Sequence, residues 1–317
     1  MVHLFIFISC FHLCDIFIIL IENYLEKKRL LDTNISLLIK LMVSGKGRGN
    51  ISNLSSKGNK RGYASNPKNP FDSLSDEDFS EWFRGFVDAE GSFFIQIIDN
   101  RVRFIFSLCL HKDELPLLKY VAQRLGVGNL SVREKSVNYT VSNKDDLVKI
   151  FDIFDKRSFN TSKNLNYIAF RLAYDLYFNR ESTKVSTELR KKIIDLKNQM
   201  NKNRTDLNQP KGHSIHITRY WLLGFIEGDG YFSVNRQGYV LFGIGQTSQE
   251  IGVLEAIRKY ILGLPGKFIV KRNNTNFVKL EIQKPVKGRN HKPMASIIVN
   301  QTDLLIDVLI PFFDSLI

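Results

Sequence analysis

Two short segments of the sequence each end in acidic residues of a kind that can bind a metal ion. They are residues 83–91, FRGFVDAEG, and residues 222–230, LLGFIEGDG. In each, an apolar run containing a glycine is followed by two acids one residue apart and then by another glycine. The last acids, Glu90 and Asp229, lie 139 residues apart (229 minus 90). One copy alone would be typical of an ordinary amphipathic helix ending at a solvated acid, whereas two matching copies indicate a duplicated unit.

The spacing within each segment suggests how the two acids could meet. Gly85 and Ala89 are four residues apart, as are Gly224 and Gly228, so each predicted helix has a face of small residues. Two such faces can pack closely, which would bring the acids at the helix ends together. Adjacent carboxylates repel each other unless a cation neutralises them, and Mg²⁺ prefers such oxygen ligands. A metal there could activate water for phosphodiester hydrolysis.

The same order of predicted elements follows both segments. In the first half, Val102, Phe104, Phe106 and Leu108 alternate with polar residues, which predicts a strand with an apolar and a basic face. That half also predicts a helix over 113–125, strands over 130–135 and 137–142, and helices over 145–154 and 165–178. The second half predicts strands over 231–235 and 239–245, a helix over 250–262, strands over 267–272 and 277–283, and a helix over 303–313. We therefore predict an α+β fold of two pseudo-symmetric αββαββα repeats, with antiparallel sheets and with the acid-bearing helices at the interface.

Composition divides the chain into five parts. Residues 1–43 form an apolar N-terminal extension, and residues 44–74 have the Ser, Gly, Asn, Lys and Pro content of a flexible linker. The two repeats are predicted over 75–180 and 218–317, with a second linker over 181–217. Residues 1–21 are long enough to span a bilayer, but Asp15 near their middle would cost about 3 kcal/mol on insertion. Membrane contact through 1–21 and an extension unrelated to the fold both remain open.

The net charge favours a polyanionic partner. The chain has 45 Lys and Arg against 32 Asp and Glu, a formal charge of +13, which suits nucleic acid first and an anionic membrane second. Three cysteines without a CxxC pair indicate neither structural zinc nor a disulfide framework, and Cys109 is predicted in the core. His213 and His216 have no further ligands nearby in the sequence, so a metal pair there is disfavoured.

The paired segments resemble the motifs of the LAGLIDADG homing endonucleases, in the single-chain, two-repeat form common in fungal mitochondrial introns. The similarity covers roughly residues 75–317 and includes residues 110–118, LHKDELPLL. It implies that Glu90 and Asp229 are catalytic, metal-binding acids and that the carbonyl groups of Ala89 and Gly228 approach the same Mg²⁺. The earlier acid of each motif, Asp88 or Glu227, is more often structural in the family.

The family also uses a polar residue on the second strand and a lysine before the final helix of each repeat. Gln246 and Lys163 match these positions, as further catalytic residues, whereas Leu110 takes the polar position of the first repeat. Since Asp146 aligns with Asp303, the second lysine would fall at position 320, beyond residue 317. Unequal cutting of the two DNA strands, or a weakened enzyme, is the hypothesis that follows.

The resemblance implies that each sheet lies along the DNA major groove, with the cut made across the minor groove. The candidate DNA-contacting residues share polar or basic side chains on predicted outward positions: Gln96, Arg101, Arg103, Arg133, Lys135, Ser233, Asn235, Arg236, Lys267, Lys271, Lys279 and Gln283. Any one of these could equally be a solvated surface residue, so the prediction depends on them as a set.

We therefore predict a mitochondrial, site-specific, Mg²⁺-dependent double-stranded DNA endonuclease that promotes the mobility of its host intron. It would act as a monomer with pseudo-twofold symmetry. The alternative is an RNA maturase that assists splicing of the host intron, with or without DNA cleavage, for which the basic residues of 284–293 would suit RNA. A DNA-binding regulator that has lost catalysis is disfavoured because both motif acids are present.

Overall fold

The computed structural model describes residues 5–6, 74–99, 101–182, 184–234, 240–266, 277–283 and 292–316. These residues form two units of the same design, each with a helix that leads into an antiparallel sheet. A two-residue strand, β1 (Phe5–Ile6), pairs with the edge of the second sheet. The predicted α+β class and the two pseudo-symmetric repeats are confirmed.

The first repeat begins at Ser75, whose side chain caps the first helix by accepting a hydrogen bond from the backbone nitrogen of Asp78. The elements follow in the order α1 (Asp76–Glu90), β2 (Gly91–Ile98), β3 (Arg101–His111), α2 (Leu115–Leu125), β4 (Asn129–Val132), β5 (Ser136–Val141), α3 (Lys144–Phe154) and α4 (Lys163–Phe178). The sheet has the order β2-β3-β5-β4. Gly126 ends α2 with a φ of 63°, which a residue with a side chain rarely adopts.

A helix of the connecting segment, α5 (Thr187–Asn198), precedes the second repeat. The second repeat then contains α6 (Arg219–Asp229), β6 (Gly230–Val234), β7 (Val240–Thr247), α7 (Ile251–Leu262), β8 (Val278–Gln283) and β9 (Met294–Val299). It closes with α8 (Thr302–Leu304), a π-helical stretch (Leu305–Leu309) and α9 (Ile310–Asp314). Its sheet has the order β1-β6-β7-β9-β8, so β6 to β9 correspond to the four strands of the first repeat.

Each sheet buries one face under the helices of its own repeat. In β3, Phe104, Phe106 and Leu108 are buried, as the alternating pattern predicts. Phe104 packs edge-on against Phe170 of α4, with 5.6 Å between ring centroids. The same alternation leaves the opposite face of β2 and β3 to solvent, where Gln96, Arg101 and Arg103 are exposed.

The structure corrects two details of the sequence interpretation, and a third lies outside the described residues. Strand β9 was missed, although Ile297, Ile298 and Val299 are strong strand formers, and it pairs with both β7 and β8. The predicted strand over 267–272 lies outside the described residues. Strand β4 ends at Val132, so the predicted strand end over 133–135 is instead the turn that leads into β5.

Two further sequence interpretations concern Cys109 and the apolar residues 1–21. Cys109 is exposed, so its assignment to the core was wrong; it lies on the polar face of β3, opposite Asn138 of β5. The apolar residues 1–21 lie outside the described residues except for β1. Within the described ranges, no helix is long and apolar enough to cross a membrane.

Candidate active site

The two acid-bearing helices, α1 and α6, pack along each other through their small residues. A Cβ atom built on Gly85 would lie 2.0 Å from the backbone oxygen of Trp221, and one on Gly224 would lie 2.0 Å from the backbone oxygen of Trp82. Such distances are far inside van der Waals contact, so only glycine allows this approach. Near the ends of the helices, a Cβ atom on Gly228 would lie 2.4 Å from the Cβ of Ala89. The small-residue faces predicted from the sequence form this contact.

The glycines that follow the acids end the helices, but not in the left-handed conformation common at helix ends. Gly91 has φ −70° and ψ 152°, and Gly230 has φ −83° and ψ 153°, so both are extended and begin strands. Here glycine is needed because the chain passes close to the preceding turn. A Cβ atom on Gly91 would lie 2.4 Å from a methyl carbon of Val87, and one on Gly230 would lie 2.5 Å from the backbone oxygen of Ile226.

Close packing brings Glu90 and Asp229 to the same point of the interface. Glu90 is the last residue of α1 and Asp229 the last of α6. The Glu90 side chain reaches towards the end of α6, where its Oε1 lies 3.5 Å from the Cβ position of Gly228. Each repeat therefore contributes one carboxylate to a shared, partly buried site.

The electrostatics of this pair favour a bound proton or a bound cation. Burial, together with the negative charge of Glu90, raises the pKa of Asp229 to about 7. Burial also raises the pKa of Glu90, against the opposing effect of the Lys163 ammonium. The Nε2 of Gln246 donates a hydrogen bond to Oδ2 of Asp229, which orients that carboxylate.

The sheet register explains why only one of the two acids has such an amide partner. Gly91 pairs with Leu108 in the first repeat and Gly230 pairs with Ile244 in the second. Two residues further along β3 and β7, Leu110 and Gln246 are therefore equivalent positions. The register agrees with the alignment of these two residues in the sequence.

Lys163 lies beside the pair, at the start of α4. Its ammonium donates hydrogen bonds to the carbonyl oxygens of Ala89, at 3.1 Å, and of Gly91, at 2.5 Å, which flank Glu90. Burial lowers the pKa of Lys163, whereas the negative charges of Asp88, Asp229 and other carboxylates oppose that shift. The predicted catalytic residues Glu90, Asp229, Gln246 and Lys163 thus lie in one cluster.

The earlier acids of the two motifs point away from this cluster, into the helix interface. Asp88 accepts a hydrogen bond from the indole nitrogen of Trp221 at 3.0 Å, and Glu227 accepts one from the indole nitrogen of Trp82 at 2.7 Å. Both carboxylates are buried. They are held by protein donors, as expected of structural residues.

Comparison with known proteins agrees with this geometry. The family model described as LAGLIDADG endonuclease matches residues 83–174, which hold the first motif, its sheet and Lys163. Over this stretch the chain is similar to the LAGLIDADG endonucleases. Among solved structures, the LAGLIDADG meganuclease I-CpaMI bound to uncleaved DNA superposes with a TM-score of 0.59 at 23% identity, covering 75% of this chain and 84% of that one. The LAGLIDADG homing endonuclease I-SmaMI bound to cleaved DNA gives 0.61 at 24% identity, with 75% and 82% covered.

The relatives that the chain matches include proteins of fungi. The chain is 29% identical over 201 residues to the uncharacterized mitochondrial protein RF1 of Saccharomyces cerevisiae, covering 62% of this chain and 41% of that protein. It is 30% identical over 162 residues to the probable intron-encoded endonuclease Cox1-I1b of Schizosaccharomyces pombe, covering 49% and 41%. The chain thus spans about two fifths of the length of these relatives.

LAGLIDADG enzymes require divalent metal, and the donors of this site suit a hard cation. The side chains of Glu90 and Asp229 offer carboxylate oxygens, and Gly228, whose carbonyl is predicted as a further ligand, directly precedes Asp229. Within the described ranges, no three Asp, Glu, His or Cys side chains converge to hold a metal, so a cation here would need further oxygen ligands from backbone or from a bound phosphodiester. The carbonyl of Ala89, also predicted as a ligand, accepts a hydrogen bond from Lys163 in this structure.

The first repeat presents its predicted DNA-contacting residues on one surface. Gln96 and Arg103 are cross-strand neighbours on β2 and β3. Arg101 pairs with Ile98, two residues nearer the turn that joins the two strands. All three polar side chains are exposed on the face that points away from the helices. Arg133 and Lys135 are also exposed, in the turn between β4 and β5.

The second repeat matches its predictions less well. Lys279 and Gln283 are exposed on one face of β8, with the acidic Glu281 between them. Ser233 is only 7% exposed, so its prediction as an outward, solvent-facing contact was wrong; it pairs with Leu241 of β7 on one side and with Phe5 of β1 on the other. The remaining predictions, Asn235, Arg236, Lys267 and Lys271, lie outside the described residues.

Several residues at the two acid-bearing helices were missed by sequence reasoning. Trp82 and Trp221 are the two tryptophans of the chain and are 139 residues apart (221 minus 82), the same offset as the motif acids. That coincidence was a usable signal. Glu250 and the residues that hold Lys163 in place carried no comparable signal, because their contacts join segments far apart in the sequence.

Proposed function

We propose that this protein is a site-specific, Mg²⁺-dependent endonuclease of double-stranded DNA that promotes the mobility of its host intron. The observation that carries the proposal is the convergence of Glu90 and Asp229 from two packed helices, one from each repeat. The match of the LAGLIDADG family model to residues 83–174 supports it, as do the structural neighbours described as bound to DNA. A protein that only bound nucleic acid would have no need to bury two adjacent carboxylates.

The residues of the site have distinct roles in this proposal. Glu90, Asp229 and the carbonyl of Gly228 would hold the cation, which supplies Lewis-acid activation of water and neutralises charge on the phosphate. Gln246 fixes the orientation of the Asp229 carboxylate. Lys163 brings a positive charge to the carbonyls around Glu90, where it would stabilise the charge that develops on the phosphate.

The exposed faces of the two sheets would bind the DNA. In the first repeat, Gln96 and Arg103 lie side by side and could contact adenine and guanine edges, with Arg101 beside them. Arg133 and Lys135 would contact phosphates from the β4–β5 turn. In the second repeat Lys279 and Gln283 would take part, together with Asn235, Arg236, Lys267 and Lys271, whereas the buried Ser233 would not.

A cleavage assay tests the proposal directly. Purified protein is incubated with Mg²⁺ and a DNA library or an intronless host junction, and wild type is compared with Glu90→Gln and Asp229→Asn. We expect cleavage by wild type and a loss of about 100-fold or more in each variant, because each removes a charged ligand. Retained DNA binding in both variants serves as the control for folding. A wild type that binds but leaves every such DNA intact would contradict the proposal.

An RNA maturase that assists splicing of the host intron is the second candidate. The observation that favours it is a basic helix outside the sheet faces: α5 exposes Lys191 and Lys192, and Arg190 bonds to the carbonyl of Asp99 in the β2–β3 turn. Such a surface could bind an RNA backbone. This function would be established instead by two results together. The protein would bind host-intron RNA and lose that binding in Lys191→Glu and Lys192→Glu, and the wild type would leave the DNA uncut.

The cellular setting belongs to the same proposal. One relative is named a mitochondrial protein and others are named probable intron-encoded endonucleases of fungi, which supports a mitochondrial, intron-encoded origin. The reciprocal packing of the two repeats supports a monomer that carries its own pseudo-twofold site. Sedimentation of the protein with and without target DNA would test the monomeric state.

A further inference from the structure

Lys163 lies at the end of a segment in which almost every residue is hydrogen-bonded to another part of the protein. We call residues 158–163 the lysine loop; it joins α3 to α4. The carboxylate of Asp88 accepts hydrogen bonds from the backbone nitrogens of Asn160, at 2.8 Å, and Thr161, at 3.1 Å, and another from the Thr161 hydroxyl. The motif helix of the first repeat therefore anchors the middle of the lysine loop.

The connecting segment between the repeats anchors the same loop from another side. The amide group of Asn160 exchanges two hydrogen bonds with the backbone of His216, at 2.8 and 2.9 Å. The ring of His213 donates to the carbonyl of Phe159 at 3.0 Å, and the amide of Gln209 donates to the carbonyl of Thr161 at 3.1 Å. This part of the segment predicted as a linker is thus packed against the site.

The anchor nearest to the lysine comes from the second repeat. Both oxygens of the Glu250 carboxylate lie at hydrogen-bond distance from the backbone nitrogen of Ser162, at 3.1 and 3.2 Å. Ser162 directly precedes Lys163, and Glu250 directly precedes α7. Glu250 is only 9% exposed. A buried carboxylate that accepts a single backbone N–H across an interface fixes the peptide that it contacts.

We propose that Glu250 is a positioning residue, which carries no chemistry itself but holds the Ser162 peptide so that the Lys163 ammonium stays against the carbonyls flanking Glu90. The inference rests on the proposed endonuclease function and deepens it, because it makes the first repeat's lysine depend on a residue of the second repeat. Without Glu250, the Ser162 peptide loses its cross-repeat contact, while the bonds from Asp88 and the connecting segment remain. The lysine loop then stays folded but moves more freely around Lys163.

Three variants separate this role from its alternatives. Glu250→Ala removes the acceptor, and Glu250→Gln keeps an acceptor oxygen but removes the charge. Glu255→Ala is the matched control, since Glu255 is exposed on α7, which Glu250 directly precedes. Each is measured for DNA affinity without divalent cation, for single-turnover cleavage with Mg²⁺, and for hydrogen–deuterium exchange of peptides that cover residues 158–165 in the free protein.

We expect Glu250→Ala to cleave about 10- to 100-fold more slowly than wild type, since displacement of a catalytic group by about 1 Å has effects of that size. Its DNA affinity should be unchanged, and faster exchange should be confined to peptides covering 158–165. Glu250→Gln and Glu255→Ala should behave as wild type. Exchange in α7 serves as the check against general unfolding.

Several results would overturn the inference. Wild-type cleavage by Glu250→Ala would show that the contact positions nothing, and equal losses in Glu250→Ala and Glu250→Gln would assign the effect to charge instead. Unchanged exchange over 158–165 in Glu250→Ala would overturn it even if the wild type proved unable to cleave DNA. A wild type without cleavage contradicts the proposed function, whereas the exchange result bears on Glu250 alone.

Discussion

The indole nitrogen of Trp82 in the first repeat donates a 2.7 Å hydrogen bond to the carboxylate of Glu227 in the second. The equivalent bond runs in the opposite direction, from Trp221 to Asp88 at 3.0 Å. Both pairs are buried. Because the bonds cross the interface in both directions, they fix the two motif helices relative to each other, and with them the separation of Glu90 and Asp229.

Replacement of Trp82 by phenylalanine tests this crossed arrangement. Trp82→Phe keeps an aromatic ring but removes the donor to a buried carboxylate, so we expect the free energy of unfolding to fall by about 1–3 kcal/mol. Trp221→Phe should lie at the lower end of that range, because Asp88 also accepts hydrogen bonds from Asn160 and Thr161. Chemical denaturation followed by circular dichroism measures both. An unchanged stability in Trp82→Phe would show that the crossed bonds do not hold the interface.

Alanine at Gly224 should disrupt the interface by overpacking. The added Cβ would lie 2.0 Å from the backbone oxygen of Trp82, a rigid atom, so the helices must move apart. We expect a loss of at least about 3 kcal/mol in the free energy of unfolding, together with loss of cleavage. Gly252→Ala is the matched control, because its Cβ would meet only Ile215, at 3.7 Å, and alanine favours a helix. Equal stabilities for the two variants would refute the close-packed interface.

Among the described residues, a lysine contacts the backbone around the acid of the first repeat, and this predicts that the two DNA strands are cut at unequal rates. Lys163 bonds to the carbonyls on both sides of Glu90, the acid of the first repeat. We expect Lys163→Met to slow cleavage of one strand by about 100-fold and the other strand less, with DNA affinity little changed. Single-turnover assays with each strand labelled separately measure the two rates. Lys156→Met, which removes an exposed lysine before the lysine loop, should cut as wild type does. An equal loss on both strands would mean that Lys163 serves the whole site.

The fold was readable from the sequence because its signals are local or repeated. Alternation of apolar and polar residues located β3 and β7, and the glycine spacing located the helix interface. Strand β9 was missed because a short apolar run gives no alternation, and only its neighbours β7 and β8 define it as a strand. The pairing of β9 with distant strands identifies it, whereas the local sequence pattern does not.

The acids, amide and lysine of the site were predicted from family resemblance, whereas the residues that hold them were not. The hydrogen bond from the backbone nitrogen of Ser162 to the carboxylate of Glu250 joins residues 88 positions apart, and nothing in either segment indicates the other. Ser233 shows the opposite error, since strand alternation gave the correct face but not its burial. Sequence pattern assigns a face, but exposure depends on what packs over it.

The raised pKa of Asp229 predicts how the stability of the metal-free protein depends on pH. In the folded protein this pKa is about 7, whereas an aspartate in an unfolded chain titrates near about 3.9. The folded state therefore binds the proton more tightly, so the stabilisation is fully present below about pH 4 and is lost as the pH rises through 7. Between pH 5 and 8, the free energy of unfolding of wild type should fall by about 2 kcal/mol relative to Asp229→Asn, whose amide does not titrate. Urea denaturation in the presence of a chelator, at several pH values, measures this difference.

The control is Asp303→Asn, at an exposed position, whose free energy of unfolding should follow that of wild type at every pH. If the difference between wild type and Asp229→Asn stayed constant from pH 5 to 8, Asp229 would be ionised throughout, and the buried carboxylate pair would not have the electrostatic character that the structure gives it.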